Sequence, residues 1–300
     1  MNNTTPPLRL ILTTRCQGHC PFCHSEGYNA QGDMPQELVW LCASLLNDLD
    51  IPSISLTGGE PTLRDDLPDL IQGISQIAPS KQINLTTNGA KLLELSKRMG
   101  KGIGEVNLSI TSLDSSKNCE FQGIDPGNAL LGLKAFPASK KKLNVLVGHH
   151  NINDLPDLIE YCIENLLSID LFFELKAYSR EDILLQRTAM KKIEEYGSVS
   201  IELKTTPTIL IKPHKKSAIR VKHPVLSSLI KRDICLSCTY IQECFERICA
   251  VRVYPDFSMS LCLNQHFSSI EGDFAQRIKR IYSLVGDNVI FSDFLFAEYK

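Results

Sequence analysis

The sequence predicts an α/β protein, with a partial (β/α)6 barrel followed by a cysteine-rich C-terminal extension. From residue 8 to about residue 175, six short β-rich runs alternate with amphipathic helical runs. Units of this kind form parallel strands joined by right-handed crossovers, with helices covering the sheet. Five of the eleven cysteines then fall between Cys235 and Cys262. We therefore expect a barrel core over residues 1–205 and an extension over residues 206–300.

Six runs of apolar and β-branched residues, bounded by Gly, Pro or polar residues, are the predicted strands. They are Leu8–Thr13, Ser53–Thr57, Gln82–Thr86, Glu105–Ile110, Lys142–Val147 and Ser168–Leu175. Between the first two, apolar residues recur at helical spacing from about Pro35, and the same pattern lies between the fifth and sixth. Cys42 and Cys162 lie within these apolar stripes, so we expect both in the core.

The pattern is weaker beyond residue 180. It predicts a helix at Arg180–Tyr196, a strand at Ser198–Leu203 and a loop-rich stretch to about Lys231. Arg252–Ser258 has the pattern of a strand and a turn, and a final helix is expected over Gly272–Val285.

Composition excludes several classes of function. The 300 residues are 43% hydrophobic and 22% charged, with a formal net charge of −2, which argues against a protein that coats nucleic acid or membrane. We find no uncharged apolar run of about 18 residues and no signal peptide, so we expect a cytoplasmic protein without a membrane or nucleic-acid partner. An odd number of cysteines without a secretory signal does not indicate a disulfide framework.

Polar and cysteine-containing segments follow the first three predicted strands. In barrels of parallel strands, the loops after the strands converge on the active site. The cysteine loop follows strand one, Gly58-Gly59-Glu60-Pro61 follows strand two and Thr87-Asn88-Gly89 follows strand three. The sequence therefore predicts a functional site at this rim.

The first cysteine group is Cys16, Cys20 and Cys23, with the spacing C-x3-C-x2-C. Three thiolates on one loop can ligate three irons of a cubane cluster and leave the fourth iron open for a ligand from outside the protein. The alternative is a zinc site completed by His19 or His24, although zinc favours four ligands from C-x2-C pairs.

With the aromatic Phe22 before the last cysteine, this motif resembles the signature of the radical S-adenosylmethionine (SAM) superfamily. The resemblance implies that Cys16, Cys20 and Cys23 are catalytic and hold a 4Fe–4S cluster whose open iron binds the methionine moiety of SAM. An electron from the cluster then cleaves SAM to a 5′-deoxyadenosyl radical that abstracts hydrogen from the substrate. It also implies an electron donor such as flavodoxin or ferredoxin.

Gly58-Gly59-Glu60-Pro61 resembles the GGEP motif of that superfamily, which contacts the SAM amino group. Glycines let backbone approach a ligand closely, and a carboxylate suits an ammonium group. Further segments resemble the GTP 3′,8-cyclases of molybdenum cofactor biosynthesis, including Glu26-Gly27, Thr57–Arg64, Thr86–Gly89 and Val106–Ser109. That resemblance implies that Thr87, Asn88 and Ser109 contact SAM. For Asn88-Gly89 a simple turn is the alternative.

The second cysteine group comprises Cys235, Cys238, Cys244, Cys249 and Cys262. It resembles the Twitch or SPASM extensions of the superfamily, which hold an auxiliary iron–sulfur cluster, although the spacing differs. Five cysteines exceed the four that one cluster needs, and we expect Cys249 to be spare in a closed site. An open site on Cys244, Cys249 and Cys262 is the alternative, and zinc is another because Cys235-x2-Cys238 is a common zinc spacing.

Residues 203–232 contain Lys and Arg but no Asp or Glu, including Lys212, Lys215, Lys216, Arg220 and Lys222. Such a stretch either binds an anionic substrate or is a solvated loop. His149 and His150 follow strand five and point towards the rim, where one of them touches substrate or both are structural. Cys119 is expected in the loop after strand four.

The sequence thus predicts a radical SAM enzyme that acts on a small molecule or a peptide. The auxiliary spacing and the missing terminal Gly-Gly differ from the cyclases, and only seven residues precede strand one, which favours a paralogue with a small-molecule substrate or a peptide delivered by a partner. The alternatives are a peptide maturase that forms a cross-link or an epimer, a cyclase-like enzyme, and a zinc-stabilised binding protein without redox activity.

Overall fold

The structure is a computed structural model of the chain. It describes residues 5–24, 32–100, 102–174, 179–202, 207–213, 217–224, 226, 230–239, 244, 248–262, 265–267, 272–285 and 289–291. Glu26-Gly27, Lys215, Lys216 and Leu175, which carried predictions, lie outside these residues. Within the described part, no helix is both long enough and apolar enough to cross a membrane.

Six parallel strands form the centre of the sheet in chain order, which confirms the predicted α/β architecture. They are β1 (Leu8–Thr13), β2 (Ser53–Gly58), β3 (Gln82–Thr87), β4 (Ile103–Ser109), β5 (Ala138–Val147) and β6 (Ser168–Phe173). The first has the predicted bounds, whereas β4 begins at Ile103 and β5 at Ala138, both earlier than predicted. Helical crossovers between successive strands give the partial barrel.

Six helices connect these strands and pack their apolar faces on one side of the sheet. They are α1 (Gln36–Asp48), α2 (Leu67–Ile77), α3 (Leu92–Ser96), α4 (Ser115–Gln122), α5 (Pro126–Ala135) and α6 (Leu155–Glu164). Cys42 in α1 and Cys162 in α6 are both fully buried, as predicted. Cys119 lies in helix α4 rather than in a loop, so that prediction was wrong.

The sheet continues beyond β6 into the segment predicted to be loop-rich. The predicted helix and strand before that segment are present as α7 (Arg180–Glu194) and β7 (Ser198–Glu202). Strands β8 (Thr208–Lys212) and β9 (Ile219–Lys222) lie within the segment itself. Strand β9 pairs in parallel with β6, and β8 and β7 follow in antiparallel order. The loop prediction was wrong for β8 and β9, which have only five and four residues, and each pairs with a strand distant from it in the chain or in a short hairpin.

The other end of the sheet also receives strands from the C-terminal part of the chain. Strand β11 (Val251–Val253) pairs in parallel with β1 and continues into β12 (Met259–Cys262) and β13 (Gln265–Phe267). The β11–β12 hairpin agrees with the predicted strand and turn. A second sheet pairs β10 (Ile230–Arg232) with β14 (Val289–Phe291), and α8 (Asp233–Leu236) and α9 (Phe274–Val285) complete the chain.

The division at residue 205 stays a prediction. Strands from residues 206–300 pair with both outer strands of the six-stranded centre, so the two predicted units share one 12-stranded sheet. The Tyr282 hydroxyl also donates to the carbonyl oxygen of Pro6, at 3.2 Å.

Side chains alternate across the sheet, as strand geometry requires. One set, including Leu8, Leu10 and Leu56, is buried against the helices. The opposite set forms what we call the polar face, which carries Arg9, Ser55, Asn84, Glu105, Asn107, Ser109, Lys142, Asn144, Asp170, Arg220, Lys222 and Arg252. An interior lined by polar groups is suited to a polar ligand.

Candidate functional site

The turn after β2 is hydrogen-bonded to the start of the cysteine loop after β1. The amide of Gly59 donates to Thr13 O at 2.7 Å, and the amide of Glu60 donates to Arg15 O at 2.8 Å. A β-carbon on Gly59 would lie 2.2 Å from Arg15 O, and one on Gly58, where φ is +139°, would lie 2.2 Å from Thr13 O. Both glycines are therefore required for the close approach of two backbone segments.

The Cys16 thiol receives two hydrogen bonds. The amide of Gly18 donates to its Sγ at 3.3 Å, and Asn88 Nδ2 donates to the same atom at 3.7 Å. The Asn88 side chain is itself held, because Gln17 Nε2 donates to its Oδ1 at 3.1 Å. The first cysteine and the turn after β3 are thereby connected, as the convergence of the three loops predicts.

The three cysteines of the loop lie close enough to influence one another. Burial raises the pKa of Cys20 to about 11, with further increases from Cys23 and Cys16. Burial also raises the pKa of Cys16. Crowded thiolates of this kind are stabilised by a bound metal centre, which lowers thiol pKa values. The donor set therefore fits an iron–sulfur cluster.

Among the described residues, no three His, Cys, Asp or Glu side chains meet at the spacing of ligands to a single metal ion. A cubane cluster spans several irons, so its ligands lie farther apart than those of one ion. The assignment of Cys16, Cys20 and Cys23 as ligands stays a prediction.

Glu60 is fully buried and its carboxylate is surrounded by donors from the chain itself. Its Oε1 accepts from the amide of Thr62 at 2.9 Å, from the Thr62 hydroxyl at 2.5 Å and from the Thr87 hydroxyl at 2.6 Å. Its Oε2 accepts from the amide of Asn88 at 2.7 Å. Burial raises the pKa of Glu60, and these donors partly offset that increase.

The residues predicted to contact SAM come from the turn after β2, the turn after β3 and the end of β4. The carboxylate of Glu60 faces Thr62, Thr87 and Asn88, while Pro61 begins a 3₁₀ turn over Pro61–Leu63. Ser109 ends β4, in the strand next to β3, where Leu108 pairs with Thr87. The predicted SAM contacts thus surround one part of the rim, and their contact with SAM stays a prediction; they are Gly58, Gly59, Glu60, Pro61, Thr87, Asn88 and Ser109.

Arg64 holds both ends of the cysteine loop, a role that the sequence did not predict. Its Nη1 donates to Leu12 O at 2.9 Å and to Met34 O at 2.7 Å, and its guanidinium pairs with Asp66 at 2.6 Å. The side chain is only 6% exposed. An arginine directly after the GGEP segment was the available signal.

Helix α4 supports the other side of the loop. The amide of His19 donates to Gln122 O at 3.4 Å, and His19 Nε2 lies 3.1 Å from Glu120 O. Gly123 ends the helix with φ +73°, and a β-carbon there would lie 2.8 Å from the His19 ring. His19 therefore packs on protein in this structure, although it was a candidate zinc ligand.

His150 lies between two aromatic rings at the rim. Its ring is stacked on Phe22 at 5.8 Å between centroids and is tilted against Phe121 at 4.6 Å. Burial lowers the pKa of His150, so the ring is mostly neutral near pH 7. His149 is exposed, and of these two histidines it is His150 that stacks on a ring of the cysteine loop.

The second cysteine group lies around α8 and the β11–β12 hairpin. Cys235 is in α8, and the amide of Cys238 donates to its carbonyl oxygen at 3.1 Å. Cys249 lies two residues before the start of β11, Cys262 ends β12, and all five cysteines are partly exposed. None of the eleven cysteines forms a disulfide. Which of the five act as ligands stays a prediction.

Arg220 and Lys222 lie in β9, in contact with the buried Asp170, so the solvated-loop alternative is wrong for these two residues. Lys212 ends β8 with an exposed side chain. The alternation of residues 219–222 between apolar and basic was the signal that could have identified the strand.

The profile of the Radical SAM superfamily matches residues 10–162, about half of the chain. The matched segment contains most of β1, the first cysteine group, the turn after β2 and strands β2 to β5. The chain therefore belongs to the radical SAM superfamily. Enzymes of this superfamily use a 4Fe–4S cluster together with SAM, in agreement with the predicted cofactors.

Curated relatives include archaeal proteins named "Probable GTP 3′,8-cyclase". The protein from Sulfurisphaera tokodaii is 37% identical over 163 residues, which cover 52% of each chain. The protein from Methanocaldococcus jannaschii is 32% identical over 180 residues, or 56% of this chain and 59% of that protein. The chain thus matches little more than half the length of these relatives.

Solved structures with a similar fold include Streptococcus suis SuiB bound to the precursor peptide SuiA. That structure has a TM-score of 0.64 and 17% identity, and the match covers 94% of this chain and 65% of SuiB. The enzyme anSMEcpe with bound AdoMet and a peptide has a TM-score of 0.54 at 16% identity, covering 85% and 74%. At this identity the likeness establishes the fold, and it agrees with the predicted partial barrel.

Proposed function

We propose that this protein is an enzyme that reductively cleaves SAM and starts radical chemistry on a small polar molecule. The observation that carries the proposal is the hydrogen-bonded connection between Cys16, Asn88 and Glu60. The side-chain Nδ2 of Asn88 donates to the Cys16 Sγ at 3.7 Å, and the backbone amide of Asn88 donates to Glu60 Oε2 at 2.7 Å. Three loops of the rim are thereby fixed around the group that would receive the cluster.

In this proposal Cys16, Cys20 and Cys23 hold the cluster, which together with SAM supplies the 5′-deoxyadenosyl radical. The carboxylate of Glu60 positions Thr87 and Asn88 for SAM through the bonds described above. Phe22, His150 and Phe121 form an aromatic side to the site that keeps water away from a reactive radical.

A small molecule is favoured over a peptide because the polar face offers charged and amide groups in the interior of the barrel. A cyclase-like reaction is the second candidate, favoured by the 37% identity to the Sulfurisphaera protein. The peptide-maturase alternative is supported only by the fold of solved structures that are less than 25% identical to this chain. We therefore rank it below the other two candidates.

We further propose an auxiliary cluster on Cys235, Cys238, Cys244 and Cys262, with Cys249, Cys244 and Cys262 as the alternative open set. A small donor protein such as flavodoxin or ferredoxin would supply the electron. Reduced cysteines and oxygen-sensitive clusters suit a reducing compartment, so we also propose a cytoplasmic location.

The proposal is tested by reconstituting the protein with iron and sulfide in the absence of oxygen and measuring 5′-deoxyadenosine after reduction with dithionite. The variant Cys20→Ala is expected to lose the product, while Cys119→Ala, an exposed cysteine on α4, is expected to keep it. Circular dichroism checks that both variants fold.

Two results would overturn the proposal that this protein is a SAM-cleaving enzyme. The first is a colourless protein that holds zinc and no iron or sulfide, which would support the binding-protein alternative. The second is equal deoxyadenosine formation by Cys20→Ala and the unsubstituted protein.

A further inference from the structure

Five charged side chains meet on the polar face, away from the cysteine loop. Lys142 Nζ lies 2.9 Å from Glu105 Oε1 and 2.9 Å from Asp170 Oδ2. Arg220 Nη1 lies 3.3 Å from Asp170 Oδ1, and Lys222 Nζ lies 3.6 Å from its Oδ2. We call these five residues the charged cluster.

The register of the strands places the charged cluster relative to the rim. Ser109 pairs with Asn144, Asn144 with Asp170, and Asp170 with Arg220. Neighbouring strands are about 4.8 Å apart, so Arg220 lies three strand spacings, or about 14 Å, across the sheet from Ser109. That separation is the length of a small metabolite with a reacting group at one end and a charged group at the other.

The charged cluster has more cations than anions. Lys142, Arg220 and Lys222 face the two carboxylates of Glu105 and Asp170. Arg9 on β1 and Arg252 on β11 lie at opposite positions in the register of these two strands, and both add positive charge to the same face. Among the residues that the structure describes, the polar face therefore carries more cations than anions, and such a face attracts an anion.

Asp170 uses both oxygens to hold the cations in place. It is 2% exposed, and burial alone would raise its pKa, but Lys222, Lys142 and Arg220 together lower it. Lys222 and Arg220 are each 33% exposed, so both still reach the interior of the barrel. The Lys222 ammonium lies 4.4 Å from the centre of the Phe172 ring, which restricts its position.

Two amide oxygens lie on the polar face between Ser109 and the charged cluster. The Oδ1 atoms of Asn107 and Asn144 are buried and accept no hydrogen bond from the described residues. Asn107 is only 7% exposed. A buried polar atom without a partner is costly, so such atoms indicate a ligand that supplies donors.

We propose that Arg220 and Lys222 bind the oxyanion group, phosphate or carboxylate, of a small-molecule substrate whose N–H or O–H groups face Asn107 and Asn144. Asp170 is the positioning residue that orients the two cations. This inference rests on the proposed function, because it names the substrate class of the same barrel interior. It also gives the substrate a direction, with its anionic end at β9 and its reacting end towards Ser109.

The test uses the full reconstituted protein and isothermal titration calorimetry. Pyrophosphate and succinate serve as separate probes for phosphate and carboxylate recognition. At least one is expected to bind, and Lys222→Met and Arg220→Met should each weaken that binding about 10- to 100-fold, the effect of removing one charge-assisted hydrogen bond. Lys191→Met is the matched control, since Lys191 is exposed on helix α7 and lies on no strand of the polar face.

Binding by neither probe would overturn the proposal, as would equal binding by Lys222→Met, Arg220→Met and Lys191→Met. Deoxyadenosine formation by the unsubstituted protein is measured in parallel. Protein that cleaves SAM but binds neither anion contradicts only the substrate class, whereas protein that binds an anion but does not cleave SAM contradicts the proposed function.

Discussion

The two cysteine groups differ in how their surroundings are held. Around the first group, backbone bonds from Gly59 and Glu60, the buried guanidinium of Arg64 and the end of α4 all fix the loop. Around the second group, the amide of Cys238 donates to Cys235 O, while Cys249 and Cys262 are positioned by a hairpin. We infer that the protein itself organises the first loop before a cluster binds. Helix α8 of the second group has only four residues, so we expect its folding to be coupled to the metal centre.

The largest effect expected from this comparison is that of Glu60→Ala. The change removes a buried carboxylate that accepts four hydrogen bonds, and it leaves donors of Thr62, Thr87 and Asn88 without their acceptor. We expect a loss of about 3 kcal/mol or more in the free energy of unfolding, because each unpaired buried donor is costly. Urea denaturation of the cluster-free protein measures it.

Glu120→Ala is the control, since Glu120 is exposed on α4 and the structure gives its carboxylate no part in the loop contacts. If the two variants lose the same stability, the first site is not organised by Glu60.

Removal of iron is expected to change the amide hydrogen-exchange rates of the second cysteine group more than those of the first. The amides of Gly59 and Glu60 are expected to stay protected, since their acceptors are the backbone oxygens of Thr13 and Arg15. The amide of Cys238 is expected to exchange about 100-fold faster in the iron-free protein than in the iron-loaded protein, because metal binding and local folding are coupled at sites of this kind. Equal changes at both sites would contradict the comparison.

Gly59→Ala tests the close approach of the two backbone segments. The new β-carbon would lie 2.2 Å from Arg15 O, so the turn must move away from the cysteine loop. We expect a loss of about 2 kcal/mol in stability and weaker retention of the first cluster, with the auxiliary centre unaffected. Gly100→Ala is the control, because a β-carbon there meets no atom within 4 Å. Iron content and thermal unfolding report the result.

The smallest expected effect is a pH dependence at the first group. Burial lowers the pKa of His150, so the folded protein favours the neutral ring while the unfolded chain takes up a proton below its ordinary pKa of about 6.5. Stability is therefore expected to fall as the pH drops below about 6.5. His150→Phe should reduce this slope and His149→Phe, at an exposed position, should not. Unchanged slopes in His150→Phe would show that the ring does not titrate this way.

Prediction from the sequence succeeded where local pattern and structure coincide. The strand Leu8–Thr13 was predicted with its observed bounds because five of its six residues are buried and its ends are marked by Pro7 and polar residues. The burial of Cys42 and Cys162 followed from their position in helical apolar stripes. The three loops of the rim followed from the rule that functional loops come after parallel strands.

Prediction failed where the partner of a residue is distant in the chain. Arg64 binds Leu12 and Met34, and His19 binds residues of α4, and neither pairing leaves a periodic signal in the sequence. Strand β9 was taken for loop because its basic residues are neutralised by Asp170, which is 50 residues away from Arg220.

The sequence by itself determined the order of the six central strands, the cysteine motif and the turn after β2, because these depend on spacing along the chain. Tertiary structure alone decided that Glu60 is buried among donors of the chain and that the basic residues of β9 face the interior of the barrel. Burial and charge pairing depend on which strands lie side by side, and that arrangement arises only when the strands assemble into the sheet.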